Sequence, residues 1–129
     1  MNLVQQASFY YGEQGNNCAV SILLAANDVY CLGLSPEAAS LVVGFGAGIN
    51  CGAICGCLAG SVAVLGKLYS KQENFRQICA DFVAEFESKM GCNSHNCKEL
   101  SAVYKTEEKR CLDAVVRGAE ILESFIAAQ

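Results

Sequence analysis

The chain has 129 residues, enough for one hydrophobic core and too few for two independent ones, so a single domain over 1–129 is expected. Thirteen acidic residues against nine lysines and arginines give a net charge of −4, and no basic run could neutralise a row of phosphates, which argues against a nucleic-acid partner. Nine cysteines form an odd set, and Met1-Asn2-Leu3-Val4-Gln5-Gln6 shows neither the basic nor the apolar part of a secretory signal. A secreted disulfide scaffold is therefore not expected, and the reading is cytoplasmic, where clustered thiols bind metal or do catalysis.

A first helix is expected over Asn2 to Tyr11, with Leu3, Ala7 and Tyr10 on one face, ending at Gly12 to Gly15. A second runs from Cys18 to Tyr30, with Asn17 able to cap it. Ser35-Pro36-Glu37 reads as a helix start, a hydroxyl cap followed by proline and an acid, and the third helix should reach Gly44 or Phe45. The fourth is expected over Cys51 to Tyr69, almost wholly apolar and therefore central. From Gln72 to Met90 the residues Phe75, Ile78, Cys79, Phe82, Phe86 and Met90 repeat at helical spacing, with Arg76, Asp81, Glu85 and Lys89 facing away. Gly91 to Asn96 reads as a loop and a short helix follows from Cys97. A last amphipathic helix is expected over Glu107 to Ala127 through Cys111, Val115, Ala119, Leu122 and Ile126, with Glu107-Glu108 in its first turn. No strand pattern appears, so the expected fold is all-α, a compact helical bundle around an apolar, glycine-rich helix.

Ala38 to Gly66 carries no charged residue and is long enough to span a bilayer. Its glycines at 44, 48, 52, 56 and 60 resemble the small-residue stripe of membrane helices. Against a membrane span, Gly46-Ala47-Gly48-Ile49-Asn50 reads as a loop that breaks the run, and the flanking helices are amphipathic. The stripe lets another backbone approach closely, within one chain or across a homodimer.

Asn17-Cys18, Asn50-Cys51 and Asn96-Cys97 each place asparagine before a cysteine at an expected helix start. There the free backbone N–H groups and the positive end of the helix dipole favour a thiolate, a setting shared by nucleophilic and metal-binding cysteines. Cys55 lies one helical turn from Cys51 on the same expected face and is an auxiliary candidate, while Cys31, Cys57 and Cys79 read as small buried hydrophobes. Cys92 and His95, the only histidine, lie close to Cys97 and are further metal-ligand candidates.

Four pieces in order, Gly15-Asn16-Asn17-Cys18-Ala19, Phe45-Gly46-Ala47-Gly48 leading into Cys51-Gly52-Ala53-Ile54-Cys55-Gly56, Cys97-Lys98-Glu99-Leu100, and Cys111, make the chain resemble the redox-active protein family named for its C_GCAxxG_C_C signature. The resemblance covers nearly the whole chain, and it implies that the family's four cysteines are Cys18, Cys51, Cys97 and Cys111. Two features depart from the pattern: the link from the glycine-rich turn to Cys51 is short, and Cys31, Cys55, Cys57, Cys79 and Cys92 are extra. The family is similar to an iron-sulfur domain of split-Soret type cytochromes. That implies a two-iron or four-iron cluster on the four cysteines, serving electron transfer or redox sensing with a redox partner protein. No Cys-x-x-Cys-His motif occurs, so covalent c-type haem is not implied.

Two alternatives use the same thiols: a metal-free thiol-disulfide oxidoreductase, and a soft-metal protein holding copper or zinc. The chain lacks the Cys-x-x-Cys motif of thioredoxin-like proteins, a phosphate-cradling glycine loop and a recognisable catalytic triad.

Overall fold

The computed structural model describes residues 1–129, and every regular element in it is helical. Helix α1 (Leu3–Ser8) starts on a reciprocal cap in which the Asn2 side chain accepts from the Gln5 N–H and Gln5 returns a bond to the Asn2 backbone. It continues as a wider turn through Phe9–Glu13, which buries Tyr11. Helix α2 (Cys18–Tyr30) begins where expected, with Asn17 Oδ1 accepting from the Val20 N–H at 3.0 Å, and ends on Cys31 in the left-handed region. Helix α5 (Cys97–Tyr104) also follows the sequence pattern, and α4 (Phe75–Met90) does so from three residues past its expected start at Gln72, burying Ile78, Phe82, Phe86 and Met90.

Three expected boundaries are corrected. The third helix is not α but two short 3-10 turns, Pro36–Leu41 and Val43–Phe45, broken at Val42. Ser35 makes no side-chain cap bond, and Val42, the buried residue of this stretch, lies at the break between the turns rather than on a continuous helical face. The fourth helix begins at Gly56 rather than Cys51, as α3 (Gly56–Tyr69). Before it, Ala47, Gly48, Ile49 and Asn50 all have positive φ, a left-handed turn closed by the Ala53 N–H donating to the Gly48 carbonyl at 2.9 Å. The backbone then runs extended through Ile54, which pairs with Asn96 as Cys55 N–H donates to the His95 carbonyl at 2.8 Å. The last helix, α6 (Leu112–Ala127), begins five residues late, because Thr106 and Arg110 exchange backbone bonds at 2.9 and 2.8 Å and hold Glu107-Glu108 in a tight turn. The long uncharged run is thus divided, and no helix is long and apolar enough to cross a membrane.

Helix α3 packs against α2, α4 and α6. A Cβ at Gly60 would stand 2.8 Å from the Ala19 carbonyl oxygen, so the lack of a side chain there sets how closely α2 and α3 meet. Gly118 on α6 does the same against Cys57, whose Cβ would lie 3.1 Å from an added methyl. One continuous apolar cluster joins all six helices, with Phe82 edge-on to Phe125 at 5.1 Å between ring centres.

Candidate functional site: a cysteine cluster at one end of the bundle

The start of α3 lies beside the start of α2, and this brings three thiols together. Cys18 is the first residue of α2, Cys55 the cap of α3, and Cys57 the second residue of α3. Cys57 is fully buried, and its thiol lies close enough to those of Cys18 and Cys55 for the three to influence one another's ionisation. Donation from Cys57 is the main influence holding the Cys55 thiol down, to about 7; burial opposes it, and the Cys57 and Leu58 backbone N–H groups at the open end of α3 add to it. Cys18 is also lowered, chiefly by Cys57, against burial and the nearby Cys55 and with help from the Cys18 and Ala47 N–H groups. Cys57 itself is pushed well above the ordinary thiol value, because its proton is held between Cys18 and Cys55 and because it has no contact with water.

Cys18 opens on its other side into a cavity of about 300 Å³ that it shares with Cys97 and Cys111. Cys97 begins α5 and Cys111 caps α6, so this cavity lies where three helix starts meet. The Ser101 hydroxyl sits between the outer two, 3.4 Å from Cys97 Sγ and 4.0 Å from Cys111 Sγ. Burial, followed by the proximity of Cys18, raises the Cys111 thiol. Gly48 backs Cys97: a Cβ at position 48 would lie 2.6 Å from the Cys97 Cβ and 2.6 Å from the Ala53 carbonyl oxygen. The cavity wall includes Tyr11, whose hydroxyl oxygen accepts the Cys111 N–H at 3.0 Å, and two cations, Lys105 and Arg110. The Arg110 guanidinium is fixed 4.4 Å over the Tyr11 ring and donates to the Tyr11 carbonyl at 3.1 Å.

A protein-family profile described as "Putative redox-active protein (C_GCAxxG_C_C)" matches residues 16–125. The chain belongs to this family. No curated protein and no solved structure matches it. The match to the C_GCAxxG_C_C family covers every cysteine of the chain.

Of the four cysteines that the C_GCAxxG_C_C signature implied, Cys18, Cys97 and Cys111 share the cavity. Cys51 does not line it; it is exposed on the left-handed turn, with Sγ 3.4 Å from the Gly48 carbonyl oxygen. Asn50-Cys51 is not a helix start, and only Asn17 of the three asparagines caps through its side chain. The thiol beside Cys18 is Cys55 instead, and Cys57, read from sequence as a plain core residue, lies between them. Cys92 is half-buried against the core; the ring of His95 pairs with Glu87 at 3.2 Å, and its backbone carbonyl holds Cys55. No three histidine, cysteine, aspartate or glutamate side chains converge on a point suited to one metal ion. Tyr11, Ser101, Lys105 and Arg110 were not anticipated; the one available signal was that Arg110 directly precedes a signature cysteine.

Proposed function

We propose that this end of the bundle is a thiol redox centre in which Cys18 and Cys57 pass between a dithiol and a disulfide. The reading rests on one observation, the buried Cys57 thiol within reach of Cys18 on a neighbouring helix. The close approach of the two helix starts supports it: a Cβ at Gly56, next to Cys57, would stand 3.4 Å from the Cys18 Cβ. Forming the bond removes two electrons and two protons from the pair. Cys18 faces the cavity, so it is the sulfur that an oxidant or a redox partner protein reaches; Cys57, out of contact with solvent, resolves the intermediate. Cys55, whose thiolate is favoured near neutral pH, is placed to take the proton that Cys57 gives up. A reducing cytoplasm would keep the pair in its dithiol form between turnovers. The test is titration of the protein against a series of redox buffers, with peptide mapping of the oxidised form. A two-electron couple with a Cys18–Cys57 linkage supports the reading, and free thiols at both positions after full oxidation refute it.

A separate observation favours a second reading, an iron-sulfur cluster. Cys18, Cys97 and Cys111 line one cavity with Lys105 and Arg110 beside them. Thiolates are the donors that two-iron and four-iron clusters take, and cationic side chains suit the negative charge of a thiolate-bound cluster. Bridging iron and sulfide hold cluster ligands farther apart than the ligands of one ion, so thiols spread around a shared cavity suit a cluster better than a single ion. Cys18, Cys97 and Cys111 would hold the group, with Cys55, whose charge acts on Cys18, as a fourth donor in place of the exposed Cys51. When bound, it would supply one-electron transfer. Iron and acid-labile sulfide in equal amounts after anaerobic purification support this reading; colourless protein that cannot be reconstituted with iron and sulfide, or that takes up copper or zinc in preference, removes it.

A further inference from the structure

We propose that the cavity over Cys18 binds a small disulfide carrying carboxylate groups, drawn in by Lys105 and Arg110; this rests on the dithiol reading above. The chain as a whole has a charge of −4, yet this cavity is lined by two cations and no acid. Neither cation is engaged by an acid: the lysine and arginine pairs of the molecule join Lys89 to Glu85, Lys109 to Asp113 and Arg117 to Glu120. Arg110 is held in position from below by Tyr11, so its charge is aimed rather than free to swing away. A cavity of about 300 Å³ is at the small end of the range for organic ligands and much larger than a peroxide needs. Cationic walls around a nucleophilic sulfur match an anionic electrophile of that size.

The reaction balances without an added cofactor. The Cys18 thiolate attacks one sulfur of the disulfide, forming a mixed disulfide and releasing one thiolate, which takes up a proton from water. Cys57, passing its proton to Cys55, then attacks the Cys18 sulfur, forming the Cys18–Cys57 bond and releasing the second thiolate, which takes that proton from Cys55. One disulfide is reduced to two thiols, and two protein thiols become one disulfide.

The test compares two disulfide reagents, the dianionic dithiobis(nitrobenzoate) and the neutral dithiodipyridine, with modification followed at Cys18 by mass spectrometry. In the Lys105→Gln/Arg110→Gln variant the rate with the dianion should fall about tenfold and lose its salt dependence, while the rate with the neutral reagent stays within about twofold. Lys105→Gln alone, on an exposed residue with no side-chain bond, provides the same comparison should the double variant fail to fold. Equal losses with both reagents, or no loss with either, overturn the anion site. If the native protein reacts with both reagents but never forms the Cys18–Cys57 bond, it is the dithiol reading that fails.

Discussion

Cys57 shows how a single residue can carry a site that its neighbourhood in the sequence conceals. Within a helix running from Cys51, Cys55 and Cys57 would occupy different faces and only Cys55 would join the signature cysteines. With α3 starting at Gly56, Cys55 becomes the cap and Cys57 turns in toward Cys18, so one shifted boundary changes which thiols meet. The Cys55 thiol is held down to about 7, chiefly because Cys57 donates to it. Replacing Cys57 with alanine removes that donor while the burial that disfavours charge remains, so the sign is upward. The first step in thiolate absorbance should move up by about one pH unit in Cys57→Ala. A step that stays near its original pH would show that the backbone N–H groups alone hold Cys55 down. Asn17 was legible for the opposite reason, since capping is a local interaction written in a few consecutive residues. Asn17→Ala should cost about 1 kcal/mol in denaturant unfolding.

At the scale of elements, the helices with strong periodicity were recovered and the uncharged stretch was not. Helix α4 follows from Ile78, Phe82, Phe86 and Met90, which repeat on one face and all become buried. Between Ala38 and Cys55 the residues are uncharged and their large apolar side chains follow no helical period, so sequence could not separate a helix from the 3-10 and left-handed turns that form there. The left-handed turn depends on Gly48, at φ +63°, with no room for a Cβ beside Cys97. Gly48→Ala should therefore displace Cys97 from the cavity and raise its labelling rate, whereas an unchanged rate would mean the turn is not what positions it. The glycine stripe was visible in the sequence, and its packing role resolves to particular positions. Helix propensity alone makes Gly60→Ala stabilising. The methyl would instead meet the Ala19 carbonyl oxygen at 2.8 Å, and the net effect in denaturant unfolding should be a loss of about 1–3 kcal/mol. That loss should be accompanied by slower Cys18–Cys57 bond formation, since α2 and α3 are forced apart.

For the molecule as a whole, the apolar core and the cysteine cluster are parts of one packing arrangement. Cys57 lies against Gly118 of α6, and the same helix carries Phe125 onto Phe82. Truncation of the fully buried Phe82 to alanine should cost about 3–5 kcal/mol, read from the denaturation midpoint. The all-α architecture and the family were open to sequence reasoning because both are spread over the chain, in periodic apolar residues and in motifs kept in order. The cavity was not, because its cations and thiols come from separate helix ends that only the folded chain brings together.

The most direct measurement is the disulfide map of the protein after oxidation at graded potentials under anaerobic, metal-free conditions. The account predicts that a Cys18–Cys57 linkage appears first, as a two-electron step, and that Cys57→Ser abolishes that step while leaving the fold intact by circular dichroism. Oxidation that first joins other cysteines, with Cys18 and Cys57 both recovered as free thiols, would contradict it.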